Sequence, residues 1–80
     1  MYYLYAVKPG QPLRLAATFD SQQQLRAYVS WATLSEQPDG TRKFEQGSAL
    51  VGASGFQESE TPLTEEDPET VLHNPTPSML

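Results

Sequence analysis

A single histidine, His73, is the one side chain of this 80-residue chain whose ordinary pKa suits general-base work near neutral pH. It stands among Glu, Pro, Thr and Ser, in a stretch expected to lack fixed structure, whereas catalysis needs groups held to fractions of an ångström. His73 therefore reads as a solvated side chain. The fragment Gly52-Ala53-Ser54-Gly55 comes near the G-x-S-x-G nucleophile elbow, but Phe56 stands where the last glycine is required. Ser54 reads as an ordinary strand or turn residue.

Glu65, Glu66 and Asp67 are adjacent, and neighbours in an extended chain do not converge on one ion as the alternating ligands of a calcium loop do. Cysteine is absent, which removes thiolate metal sites and disulfides together. Gly47, Gly52 and Gly55 precede neither Lys-Ser/Thr nor a helix that could receive a phosphate. The expectation is no catalytic residue, no metal and no cofactor. An accessory enzyme domain with carboxylate chemistry, using Asp20, Asp39 or Glu45, ranks last among the functional readings.

Aromatic residues carry more information than the titratable ones. Trp31 falls beside Tyr28 on a helical wheel of about 100° per residue, rotated away from the Leu25-Val29-Ala32 stripe toward Ala27 and Leu34. Trp and Tyr on a rigid helix are the residue types that anchor partner surfaces. Tyr28, Trp31 and Leu34 thus form one candidate protein-binding flank; the competing reading makes Trp31 an extension of a small core. Tyr2 and Leu4, with Ala6 and Ala16, form a second candidate, an outer sheet face suited to a partner or to a homodimer.

These side chains need a frame. Tyr2 to Val7 and Leu13 to Phe19 alternate as strands around the turn signal Pro9-Gly10. Pairing Val7 with Leu13, Tyr5 with Leu15 and Tyr3 with Ala17 places six apolar side chains on one face. Asp20 or Ser21 caps a helix, with Gln23 or Gln24 as the capping-box partner, and Leu25, Tyr28, Val29 and Ala32 follow at helical spacing. Pro38-Asp39-Gly40 supplies a turn after the helix. Thr41 to Gln46 and Ala49 to Ser54 then read as a second hairpin around Gly47-Ser48, with Phe44 opposite Val51.

The expected fold is α+β: a small antiparallel sheet with one helix on one face, in the order ββαββ, occupying residues 1–57. Residues 58–80 read as a flexible, largely disordered acidic tail, because Leu63, Val71, Leu72, Met79 and Leu80 are too few to offset its ordering entropy. Asp67-Pro68 can start one helical turn there. About 60 residues bury only around 60% of their unfolded surface, so the stability margin is thin.

Charge divides at the same boundary. The first 57 residues carry five bases against four acids, a net of +1, and the remainder carries six acids and no base. A nearly neutral folded part lacks the basic face of a nucleic-acid binder. No apolar run approaches the roughly 18 residues of a membrane span, and the amino terminus lacks a basic leader region. A cytoplasmic location is expected, and proline in Asn74-Pro75-Thr76 blocks the only glycosylation sequon.

The leading functional expectation is a non-enzymatic interaction module, an adaptor or regulator that binds a protein partner, not nucleic acid or membrane. A small inhibitor whose acidic tail occupies a basic groove is the first rival. Ser78-Met79-Leu80 also has the form of a terminal strand-adding ligand, and Thr61-Pro62 and Thr76-Pro77 the form of phosphate acceptors.

Overall fold

Residues 1–76 are described by a computed structural model, and the Ser78-Met79-Leu80 terminus lies outside them. Two adjacent strands, β1 (Tyr2–Val7) and β2 (Arg14–Phe19), form the centre of the molecule. They are joined by a loop in which the Gln11 N–H donates to the Lys8 carbonyl and Gly10 takes φ +71°. That left-handed conformation is one glycine adopts without a Cβ clash. Tyr5 pairs with Leu15, as the alternation predicts.

Beyond that pair a bulge intervenes, and Leu4 meets Ala17, Tyr3 meets Thr18 and Tyr2 meets Phe19. Ala16 is the extra residue, and it sends Leu15 and Ala17 to opposite faces although they are two apart. Leu4, Ala6, Ala17 and Phe19 therefore join the core beneath the helix, while Tyr5, Leu15 and Thr18 are buried outside that cluster. The expected assignment of Tyr3, Tyr5 and Val7 to the helix face is thus reversed.

Helix α1 (Gln22–Ala32) begins as its sequence dictates. The Ser21 hydroxyl accepts from the Gln24 N–H at 3.2 Å and donates to Gln24 Oε1 at 3.0 Å. Its buried residues are Leu25, Tyr28, Val29 and Ala32, the predicted stripe. Thr33 stops it by turning extended, with both its N–H and its hydroxyl directed to the Val29 carbonyl. The chain passes at once into β3 (Thr33–Glu36), which pairs antiparallel with β4 (Arg42–Phe44). Pro38-Asp39-Gly40 turns this ribbon: Asp39 accepts from the Thr41 N–H at 3.0 Å, and Gly40 sits at φ +88°.

The second hairpin proposed from Ala49 to Ser54 does not form, and Phe44 faces Thr33 instead of Val51. Residues 45–54 are successive turns, in which Ser48 N–H donates to the Glu45 carbonyl, Val51 N–H to Ser48 and Ala53 N–H to Leu50. Leu50, fully buried, pins them to the core. The next strand is β5 (Gly55–Ser59), paired antiparallel with β1 from Tyr3–Ser59 to Val7–Gly55.

A division between residues 57 and 58 would therefore cut a strand in two. The following residues lie against the sheet, as far as the described chain extends. Leu63 N–H donates to the Tyr5 hydroxyl at 2.8 Å, and Leu15 N–H to Glu66 Oε2 at 2.7 Å. Asp67 caps a single 3-10 turn, Pro68–Thr70, as its sequence suggests. Strand β6 (Leu72–His73) then runs parallel to β2, so the sheet is mixed, with order β5-β1-β2-β6. Hydrogen bonds from individual polar groups hold this segment, which is why apolar counting assigned it no structure. No helix among the described residues is long and apolar enough to cross a membrane.

Candidate functional site

The five residues singled out as a contact surface fall into different environments. Leu4 is wholly buried under α1, and Tyr28 is 3% exposed. The Tyr28 hydroxyl accepts from the Ala49 N–H at 2.9 Å, and its ring packs between Phe19 at 5.6 Å and Trp31 at 5.4 Å. Tyr2 is half-buried against the same core. A hydrogen bond to the neighbouring Glu60 carboxylate holds its phenol pKa above the usual range.

The outer sheet face proposed for a partner or a homodimer is consequently not the surface made by Tyr2, Leu4, Ala6 and Ala16. Leu4 and Ala6 point inward, and the opposite face carries residues from the segment after β5. What remains accessible is Trp31, half-buried on the fixed Tyr28 ring, and Leu34, 59% exposed at the start of β3.

The opposite flank of α1 forms a groove that the sequence did not disclose. Arg26, Val29, Ser30 and Thr33 stand at helical spacing along one wall, and β5 supplies Phe56 and Glu58 along the other, around about 730 Å³ of space. Arg42 of β4 lays its guanidinium 5.1 Å above the Phe56 ring and approaches Glu36 at 3.6 Å. Arg26 meets Glu58 at 3.1 Å, with Gln22 donating to the same carboxylate oxygen at 3.1 Å. The Arg26 guanidinium, more than any other group, holds the Glu58 carboxyl below its ordinary range. The signal available in the sequence was the alternation of Phe56 and Glu58, obscured because acids mark the start of the tail.

A second concavity, about 530 Å³, lies between the start of β2 and the segment Thr70 to Leu72, with Lys8 and Arg14 among its lining residues.

His73 has unexpected neighbours. Thr18 Oγ1 and His73 Nδ1 are 2.8 Å apart, and His73 Nε2 lies 3.1 Å from Asp20 Oδ1. Asn74 Oδ1 accepts from the Asp20 N–H at 2.9 Å, while Asn74 Nδ2 donates to Asp20 Oδ2 at 2.7 Å. Asn74 takes φ +50°, left-handed backbone that asparagine tolerates better than most residues. The Asn74 hydrogen bond is the main influence lowering the Asp20 pKa, with His73 adding to it.

Hydroxyl, imidazole and carboxylate in a row have the order of a nucleophilic triad. Here the hydroxyl is on a strand residue 1% exposed, and the row ties β6 to β2. The contacts form a clasp between the two strands.

The other carboxylates are dispersed. Asp39 accepts from the Thr41 hydroxyl at 2.7 Å within its own turn, which lowers its pKa, and neither Asp20, Asp39 nor Glu45 lines either large concavity. Among the described residues no three His, Asp or Glu side chains gather as a metal site.

Comparison with protein-family models, curated proteins and solved structures gives no match. The functional reading therefore rests on the chain's own surfaces.

Proposed function

We propose that the protein is a non-enzymatic interaction module that binds another protein through Trp31 of α1 and Leu34 of β3. The observation that carries this reading is the indole's setting: a half-buried Trp31 packed at a tilt against a Tyr28 fixed by core packing and the Ala49 hydrogen bond. Such an anchor loses little conformational freedom on binding, and tryptophan is among the residue types enriched in binding hot spots. Leu34, largely exposed three residues further on, adds apolar area. The cysteine-free composition suits a reducing compartment, and we place the protein in the cytoplasm.

The acidic-inhibitor reading has less to draw on. Glu58 and Glu66 are engaged within the chain and Asp67 caps its own 3-10 turn. The carboxylate-enzyme reading requires acids that converge, whereas Asp20 is bonded to Asn74 and Asp39 to Thr41 within its own turn.

A crosslinking experiment tests the proposal. A photoreactive residue at position 34 of the full chain should trap a discrete protein in native lysate, and Trp31→Ala in the same background should remove that adduct while the melting temperature changes by only a few degrees. An adduct that survives Trp31→Ala, or one lost only on Glu65→Gln and Glu69→Gln substitution or at high salt, would move the interaction to the acidic segment.

A further inference from the structure

The two edges of the sheet are unequally protected. At the β2 side, β6 is two residues long, Pro68 and Pro75 bracket it in sequence, and Glu66 takes up the Leu15 N–H. Short strands, prolines and covering groups are how proteins blunt an edge. At the other side, β5 offers five extended residues with neither proline nor lysine. The Arg42 N–H of β4 donates to the Ser54 carbonyl just before it, and among the described residues no strand forms a ladder along its outer edge. We infer that β5 is a self-association edge: a second copy of this chain pairs antiparallel with it about a two-fold axis at Gln57, extending the sheet across both molecules.

The register follows from the residues themselves. Phe56 and Glu58 pair with Ala6 and Leu4, so both point to the helix face, and Gln57, opposite Tyr5, points to the other. A two-fold at Gln57 sets Phe56 of each copy beside Glu58 of the other, because directly opposed residues share a face with Cβ atoms roughly 5 Å apart. The Arg42 guanidinium, already above Phe56, then reaches the carboxylate of Glu58 in the second copy. Each Glu58 is shared between its own Arg26 and the other molecule's Arg42, and the symmetry makes two such contacts.

Charge favours this occupant. Two arginines against one carboxylate leave the groove one positive charge in excess, in a chain of net charge -5. The pair as a whole keeps that excess, four arginines against two carboxylates, but the register gives each Arg42 a carboxylate of opposite sign from the second copy. Arg42 gives up little in turning to that partner, since Glu36 is 3.6 Å away with a side chain 64% exposed, the kind of surface pair that contributes little. The association uses the flank of α1 away from Trp31, so it stands or falls independently of the proposed function. Both helices lie on the same side of the joined sheet, with the two indole flanks directed away from the joint.

Charge reversal in two separate full-length variants tests the pairing. Arg42→Glu alone brings two carboxylates together at each contact, and Glu58→Arg alone brings two guanidinium groups together. Each should weaken self-association at least tenfold in sedimentation equilibrium relative to the unmodified chain. In an equimolar mixture of the two, the mixed dimer opposes like charges at neither contact: one contact joins the two native side chains and the other joins the two substituted ones, each pair of opposite sign. The mixture should therefore recover the dimer.

The chain contains no cysteine, which supplies a second test. Gln57→Cys places two thiols on the axis, where opposed Cα atoms about 4.5–5.5 Å apart suit a disulfide. Mild oxidation should link Gln57→Cys chains far faster than chains carrying Ala27→Cys on the exposed helix surface. An unmodified chain that stays monomeric at about 1 mM, where even a 4 kcal/mol association would register, overturns the inference. So does a mixture no more dimeric than its components when both are folded, or a Gln57→Cys chain that links no faster than the Ala27→Cys control.

Discussion

The two faces of the β1–β2 pair are closed by different chemistry. Beneath α1, Leu4, Ala17 and Phe19 meet Leu25, Tyr28, Val29 and Ala32 in one apolar cluster, with Leu50 also fully buried there. On the opposite side Tyr5, Leu15 and Thr18 are buried too, yet the chain beyond β5 reaches them through single polar contacts: a phenol to Leu63, a carboxylate to the Leu15 N–H, an imidazole to Thr18. Apolar burial is non-directional and tolerates small shifts, whereas a hydrogen bond has a narrow geometry and a modest net contribution. The first face should therefore set global stability and the second should open locally at lower cost.

Substitutions on each face can break that contrast. Phe19→Ala removes a fully buried ring and should cost about 4 kcal/mol, read as a large loss in the urea midpoint. A loss below about 1 kcal/mol would mean the helix face is not the main core. Glu66→Ala removes the carboxylate from the Leu15 N–H. Because Glu66 is exposed and water can replace it, the expected cost is about 1 kcal/mol, with faster exchange of the Leu15 amide as its local signature. Tyr5→Phe deletes only the hydroxyl and should cost about 0.5–1 kcal/mol, with the Leu63 amide losing protection while those of α1 keep theirs. Equal loss across α1 would show that the two faces open as one unit.

The mildest perturbation is acid. Asp20 has its pKa lowered below the ordinary carboxylate value in the folded chain, so its stabilising contribution is complete above the unfolded value and disappears as pH falls through the folded one. On acidification from neutral pH, the Asn74 side-chain amide resonances should shift below the ordinary carboxylate range, before the resonances of Leu25 and Phe19 report unfolding. Asn74 resonances that stay fixed until global unfolding would remove Asp20 from the clasp.

This contrast also separates what could be read from the sequence. Helix α1 was legible because its cap, Ser21 with Gln24, and its stripe of Leu25, Tyr28, Val29 and Ala32 lie within twelve residues. Strands β1 and β2 were legible for the same reason, as was the pairing of Tyr5 with Leu15. The bulge at Ala16 was not, since one small residue among others carries no local mark. Burial of Leu4, Tyr5 and Ala6 in succession also breaks the one-sided alternation on which the face assignment relied. Strand β5 was hidden by Glu58, whose charge suggested a tail until Arg26, distant in sequence, is brought to it. For the candidate surface, the wheel sets Trp31 apart from the buried stripe but also places Leu34 on the helix, whereas Thr33 turns the chain extended and Leu34 is exposed on β3. In sequence Tyr28 reads both as part of the buried stripe and as part of the contact flank; the structure keeps it in the stripe, where its hydroxyl also accepts from the distant Ala49 amide.

The placement of β5 and β6 has a consequence for the path to this structure. From β1 to the end of α1 the chain makes its contacts locally, while Tyr3 with Ser59 and Thr18 with His73 join residues more than fifty positions apart. Closing such long loops costs entropy before the new pairings can compensate. High contact order of this kind slows the search even in a short chain. Folding of these 80 residues will accordingly resemble the slower kinetics of β-rich domains, with the N-terminal hairpin and helix available early as a template for the two late-joining strands.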